Sequence, residues 1–239
     1  MKVKYTKDQV IFMKPLLFLF IHFLSLFGYS QVNPEWTNSE VKQADVARNI
    51  MNLPKFEKDV ILYHNLVRLF PQKYLQVEIL NFTQDIETKD KLKFDFTWTS
   101  QDINSKYFRS LIKRLSVQKP LTRLVFDSSL NSSAKCLAKE QSKTGDIGHI
   151  RKKCKDPEAD KIRGRKVSSS GTAENCAYTQ YNGKDSVNQL LIDEDISSLG
   201  HRKNILNPKY TKIGVGVDFH PKYEKVIVID YAFINYFKE

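Results

Sequence analysis

Four side chains in this sequence have the types and spacing for chemistry: His149, Glu174, Glu194 and His201. Each of the two histidines follows a glycine and stands just past a helical pattern. Glu174 lies within Thr172-Ala-Glu-Asn-Cys-Ala-Tyr-Thr179, a β-prone run in which a charge needs a reason. Glu194 is the middle of the acidic trio Asp193-Glu194-Asp195, read as the end of a helix that runs out near Gly200. Helix register is open by one residue, so Asp193 is the alternative second acid. Neutral imidazoles beside carboxylates suit a divalent metal, with the acid fixing the ring tautomer, or acid–base work. The bland alternative is a set of satisfied hydrogen bonds and caps. Residues this far apart in sequence meet only if the fold brings them together. Of the other histidines, His22 lies in the leader, His64 reads as a partly buried residue of a helix, and His220 as a solvated turn residue before Pro221.

Helices and strands must supply that convergence. Residues 56, 60, 63, 67 and 70 are apolar at spacings of 4, 3, 4 and 3, which predicts an amphipathic helix ended by Pro71, with Arg68 free to bond backbone carbonyls at its end. Phe108, Leu111, Ile112 and Leu115 share one face of a helix over 105–116. Asp127 is placed as the N-cap of a third helix, which ends near Gly145. Val187, Leu190 and Leu191 predict a fourth. Ile213-Gly-Val-Gly-Val217 and the run at 226–237 predict an antiparallel hairpin across a turn around Pro221. KLKFDFTW at 91–98 alternates as a strand does. Helices interleaved with late strands favour an α+β layer arrangement with an antiparallel sheet between helices.

The chain has 239 residues, enough for one domain plus a leader. Residues 1–30 combine four lysines, an apolar run at 15–28 and small residues at 28 and 30, the pattern of a cleaved secretory signal peptide. That run is short for a membrane-spanning helix. Residues 31–54 read as a polar linker. Removal of the leader lowers the formal net charge from +11 to +8, spread over KRLSVQK near 113–119 and RKKCK and KIRGRK between 151 and 166. A basic surface of this kind is solvated, or attracts an acidic envelope polymer or membrane surface. Nucleic acid is not indicated, because no recognition motif is present. Cys136, Cys154 and Cys176 permit one disulfide and one spare thiol, with three pairings open. No cysteine–histidine arrangement has the local signature of a nucleophile.

Gly148-His149, Ala173-Glu174-Asn175 and LLIDEDISSLGHRKNILNPKYTKIGVGV at 190–217 together resemble the CAP superfamily: cysteine-rich secretory proteins, antigen 5, pathogenesis-related proteins and bacterial secreted relatives. The resemblance is nearest the bacterial branch and covers roughly 55–239, with an insertion at about 75–104. It implies a three-layer α-β-α sandwich with a central, largely antiparallel sheet. It also implies a cleft lined by His149, Glu174, Glu194 and His201, in which His149 and His201 hold a divalent metal such as zinc and the acids bind water or orient the rings. Two histidines alone would hold an ion weakly and in a pH-sensitive way. Three cysteines cannot reproduce the disulfides of the eukaryotic members, and Leu191 stands where those members carry a bulky aromatic.

The reading is a secreted or periplasmic binding module whose partner is a small ligand or a cell-envelope component. The alternative is a metal-assisted hydrolase with Glu174 or Glu194 as acid–base group. The absence of a nucleophile motif or a three-ligand zinc signature such as H-E-x-x-H favours binding over turnover.

Overall fold

The computed structural model describes residues 35–81, 105–154, 167–179 and 181–236. The expected signal peptide at 1–30, the expected strand at 91–98 and most of the expected insertion lie outside the described residues. Seven helices and four strands are used below: α1 Asn38–Ala44, α2 Lys55–Leu69, α3 Pro71–Tyr74, α4 Lys106–Val117, β1 Val125–Phe126, α5 Ser128–Thr144, β2 Val167–Thr179, α6 Gly183–Ile192, α7 Gly200–Ile205, β3 Lys212–His220 and β4 Glu224–Tyr236. The strands form one sheet in the order β1-β3-β4-β2. β1 runs parallel to β3, and the other pairings are antiparallel.

Local chemistry sets the ends of these elements. Asp127 accepts hydrogen bonds from the backbone N–H groups of Ser129 and Leu130 as the N-cap of α5, and Gly145 closes that helix in the left-handed conformation at φ 71°. Ser105 caps α4 by accepting from the N–H of Phe108. α2 stops at Phe70, and Pro71 opens α3, because proline is tolerated in a first helical turn but not inside a helix. A π-helical turn, Leu75–Ile79, follows. Arg68, fully buried at the end of α2, donates to the carbonyls of Thr122, Ile205, Asn207 and Tyr210 and ties three segments together.

Each face of the sheet carries its own helices, which makes the molecule an α-β-α sandwich. Side chains alternate across a strand, and in the register of β2, β4 and β3 the residues Glu174, Asp230 and Gly214 stand side by side on one face. Cys176 and Val228 follow them, then Tyr178 and Val226. This face meets α5 through Ala134, Leu137 and Ala138. The opposite face carries Ile213, Val215, Ile227, Ile229 and Tyr231 into the larger core with Val60, Leu66, Val187 and Leu191. The two glycines of β3 explain the close approach of α5. A Cβ on Gly214 would lie 2.1 Å from the backbone nitrogen of Asn131, and one on Gly216 2.3 Å from that of Lys135.

Three sequence expectations change. α6 ends at Ile192, so Asp193 is its left-handed C-cap at φ 60° and the acidic trio lies beyond the helix. His220 is fully buried, because Tyr178 and Tyr223 pack their rings on it and the carbonyl of Asp146 lies 3.3 Å from its Nε2. His64, expected to be partly buried, is also fully buried. Burial pushes its ring down to about 4, so it stays neutral.

Candidate functional site

Glu174 is placed by β2 and His149 by the loop that leaves α5. The loop is fixed at several points. Cys136 on α5 is bonded to Cys154, 18 residues on, and Cys176 remains free and buried. In the chain-entropy account a loop of that length contributes about 3 kcal/mol. Gln141 donates to the carbonyl of Gly148, and the N–H of Gly148 donates to the Tyr178 hydroxyl. Glu140 accepts from the backbone N–H groups of Lys152 and Lys153.

In this frame His149 Nδ1 lies 2.8 Å from Glu174 Oε1. Cys176, two residues along β2 and on the same face, has its Sγ 3.6 Å from both of those atoms and donates toward Glu174 Oε1. The neutral His149 ring donates through Nδ1–H, so two protons converge on one carboxylate oxygen. The other oxygen, Oε2, is held by Arg151, whose Nη2 also reaches Asp230 Oδ1 and Oδ2 at 3.1 and 3.2 Å. Nη1 of Arg151 donates to the carbonyl and hydroxyl of Ser133 on α5. One guanidinium therefore bridges two carboxylates from neighbouring strands and pins the loop to α5.

The electrostatics follow from these contacts. The Glu174 hydrogen bond raises the His149 ring above the ordinary histidine value, against the opposing effect of burial. Burial alone would raise Glu174, but His149 and Arg151 outweigh it and hold the carboxyl below its usual range. Asp230 is fully buried, and burial together with the Glu174 charge pushes it up to about 7, despite Arg151. Burial, then the Glu174 charge, pushes the Cys176 thiol well above its ordinary value, so the free protein holds it as the thiol.

The sign of the Asp230 shift gives a test. A carboxyl raised in the fold is costly to ionise there, and that cost grows as pH rises from the ordinary value of 3.8 through about 7, then levels. Asp230→Asn should therefore gain stability relative to the parent protein between pH 5 and pH 8. Thermal unfolding midpoints at the two pH values measure this, and a difference that does not change with pH would refute the assignment.

His201 is the second residue of the short helix α7, directly after Gly200. Its Nδ1 is 2.7 Å from Asp193 Oδ1, and Asp193 Oδ2 accepts from the N–H of Arg202. Asp193 therefore takes the place beside His201 that was expected for Glu194. Glu194 instead accepts from the Ser105 hydroxyl at 2.8 Å. The loop between α6 and α7 holds Asp193, Asp195 and Leu199 in left-handed conformations, each a strain of about 1–2 kcal/mol for a residue other than glycine. Buried Arg202 offsets this by donating to the carbonyls of Leu191, Ile192 and Tyr107 and to the Ser110 hydroxyl.

Asn175 links the halves. Its amide donates to the His201 carbonyl and the Tyr231 hydroxyl, and its Oδ1 accepts from Asn204. The Tyr231 hydroxyl in turn donates to His64 Nε2, whose ring donates through Nδ1 to the Val60 carbonyl. His149, Glu174 and Cys176 form the group that could hold a metal ion. Among the described residues no such group of three includes His201.

Sequence reasoning missed three members of the site. In the sequence Arg151 is one cation of a basic run, Cys176 is one of three cysteines whose pairing is open, and Asp230 lies within an apolar strand. For Asp230 the signal was available: a lone acid inside VIVIDYAF is as conspicuous as Glu174 in its own strand.

A sandwich with paired histidines and acids beside its sheet defines the class of protein. The sequence profile of the CAP family, the cysteine-rich secretory protein family, matches residues 63–231, and the chain belongs to that family. The chain is 29% identical over 131 residues to the uncharacterized membrane protein YlbC of Bacillus subtilis, which covers 54% of this chain and 36% of that protein. The match thus spans about a third of that relative's length. Among solved structures, it is similar to an extracellular protein containing an SCP domain from Bacillus anthracis, at 22% identity and TM-score 0.36, covering 69% of this chain and 44% of that one. It is also similar to venom allergen-like protein 4 of Schistosoma mansoni, at 16% identity and TM-score 0.42, covering 77% and 91%. No helix among the described residues is long and apolar enough to cross a membrane.

Proposed function

We propose that this chain is a secreted or periplasmic CAP-domain binding module whose cleft holds a divalent metal such as zinc, with His149, Glu174 and Cys176 as the donors. The observation that carries the reading is the triangle of Nδ1, Oε1 and Sγ, with sides of 2.8, 3.6 and 3.6 Å. An ion about 2.0–2.3 Å from each donor fits those separations. It would take the place of the two protons that now converge on Glu174. Arg151 leaves Oε1 to the ion by occupying Oε2. His201 and Asp193 form the second pair lining the cleft, beside which a small ligand or cell-envelope component would sit. The disulfide supports a compartment outside the reducing cytoplasm.

Cysteine-based nucleophilic turnover is disfavoured because burial keeps Cys176 as the thiol, and an ion bound there would have to displace that proton. A metal-assisted hydrolase is the second reading. It is favoured by one feature, the Glu174 carboxylate, which burial would raise but His149 and Arg151 hold below its usual range, as suits a general base. In that reading Glu174→Gln abolishes metal-dependent turnover of peptide or ester substrates.

Zinc titration calorimetry tests the binding reading. The protein should bind one zinc ion and release protons, more weakly as pH falls, because the thiol and the raised His149 ring both compete with the ion. His149→Ala should lower the affinity by a factor of about 100 or more. Zinc binding unchanged in that variant would remove the site.

A further inference from the structure

The longest acid-free stretch near the site carries its own signal. Between Asp102 and Asp127 the sequence holds no Asp or Glu and six cations: Lys106, Arg109, Lys113, Arg114, Lys119 and Arg123. Five of these lie on α4 or just past its end, and all five are exposed. Lys106, Arg109 and Lys113 recur at i, i+3 and i+7, one stripe of the helix, about 10 Å long at 1.5 Å per residue. Arg114 and Lys119 carry the charge on toward the end of the helix. Lys113, Arg114 and Lys119 form no ion pair among the described residues. The described acid that touches this element is Glu194, at the first turn, through Ser105.

The other face of α4 is already used. Tyr107, Phe108, Leu111 and Leu115 are buried in the main core. A basic amphipathic helix that lies on a membrane inserts its apolar face, and here that face is unavailable. Val117, 73% exposed, is the large apolar side chain that α4 leaves in solvent. What remains is attraction by charge, along a line.

α4 is also bonded to the cleft. Ser110 and the Tyr107 carbonyl accept from Arg202, next to His201, and Ser105 donates to Glu194. α4 is thus tied by hydrogen bonds to the segment that carries one of the two histidine–acid pairs.

We infer that the exposed face of α4 is a docking surface for a linear polyanion, a phosphate- or carboxylate-bearing polymer of the cell envelope. The inference rests on the reading of the protein as an extracytoplasmic binding module, and it names the partner's chemistry and the surface that takes it. Binding would be driven by release of the polymer's counterions, so it would fall steeply with salt.

The test uses the whole mature protein with long-chain polyphosphate and polygalacturonate as separate probes, titrated across a range of salt. One or both should bind, and which one identifies the charged group. The variant Lys106→Gln, Lys113→Gln, Arg114→Gln, Lys119→Gln should lower affinity at least about tenfold at low salt and flatten the salt dependence. A control, Lys42→Gln, Lys143→Gln, Lys209→Gln, Lys222→Gln, removes the same charge from other exposed positions and should retain most of the affinity. Thermal unfolding checks that both variants fold. Equal losses in the two variants would mean that net charge alone acts, and would overturn the surface. So would binding to neither polymer, or binding to phosphatidylglycerol vesicles in preference to both. Zinc titration of the α4 variant separates the two claims: it should match the parent, and its failure in both proteins would count against the metal cleft while leaving the α4 result to stand.

Discussion

Arg151→Ala is expected to destabilise the protein by about 3–5 kcal/mol, the range seen when one partner of a buried ion pair is removed. The arginine stands between Glu174 and Asp230, whose side chains are 14% and 0% exposed. Its loss leaves two carboxylates facing each other across paired strands, with no cation and little water. It also frees the loop from Ser133, so His149 loses the support that holds its ring on Glu174. Denaturant unfolding at pH 7.5 measures the loss. The electrostatic origin has its own check: Asp230→Asn added to Arg151→Ala should recover a large part of it, because the like-charge contact is gone. A loss under about 1 kcal/mol, or no recovery in the double variant, would show that the guanidinium does not hold the site together.

Gly214→Ala is expected to cost about 3 kcal/mol or more, at the upper end of the range for overpacking. Most small-to-large changes meet side chains that can turn aside. Here the new methyl meets the backbone of α5, at 2.1 Å from Asn131 N and 2.2 Å from the Leu130 carbonyl carbon. The helix would have to lift from the sheet, and Gly214 is level with Asp230, so the movement would open the ground on which Arg151 lies. Gly200→Ala is the control, since a Cβ there meets nothing closer than the Ser198 hydroxyl at 3.4 Å. Equal unfolding midpoints for the two variants would contradict the packing account.

The pattern of the chain made much of this architecture legible. Apolar spacing placed α2, α4, α5 and α6, Asp127 and Gly145 marked the ends of α5, alternation placed β3, and a β-prone run placed β4. These are local signals, readable because the helix and strand periods differ. The neighbourhood of each side chain was less legible. Asp193 and Glu194 differ by one position, and the choice between them turned on where α6 stops. It stops at Ile192 because Asp193 adopts the left-handed conformation, a fact of backbone geometry that the acidic trio does not advertise. Arg151 was hidden by its own context, as one cation in RKKCK. Only the register of β2 against β4, which sets Glu174 opposite Asp230, gives this half-buried arginine its role. Cys176 was hidden by parity: two residues from Glu174 on a strand means the same face, but that inference needs the strand first.

The basic run on α4 shows the reverse. Its composition was plain in the sequence, and the structure adds that its apolar face is consumed by the core, which turns a generic charge run into a surface with one direction.

The most direct test of the metal site is the absorption spectrum of the protein loaded with cobalt(II). Ligation by Cys176 gives a sulfur-to-metal charge-transfer band in the near ultraviolet. That band should appear in the parent protein, vanish in Cys176→Ser and His149→Ala, and persist in His201→Ala. A cobalt complex that lacks the band in the parent protein, or that depends on His201 and not on Cys176, would contradict the donor set of His149, Glu174 and Cys176.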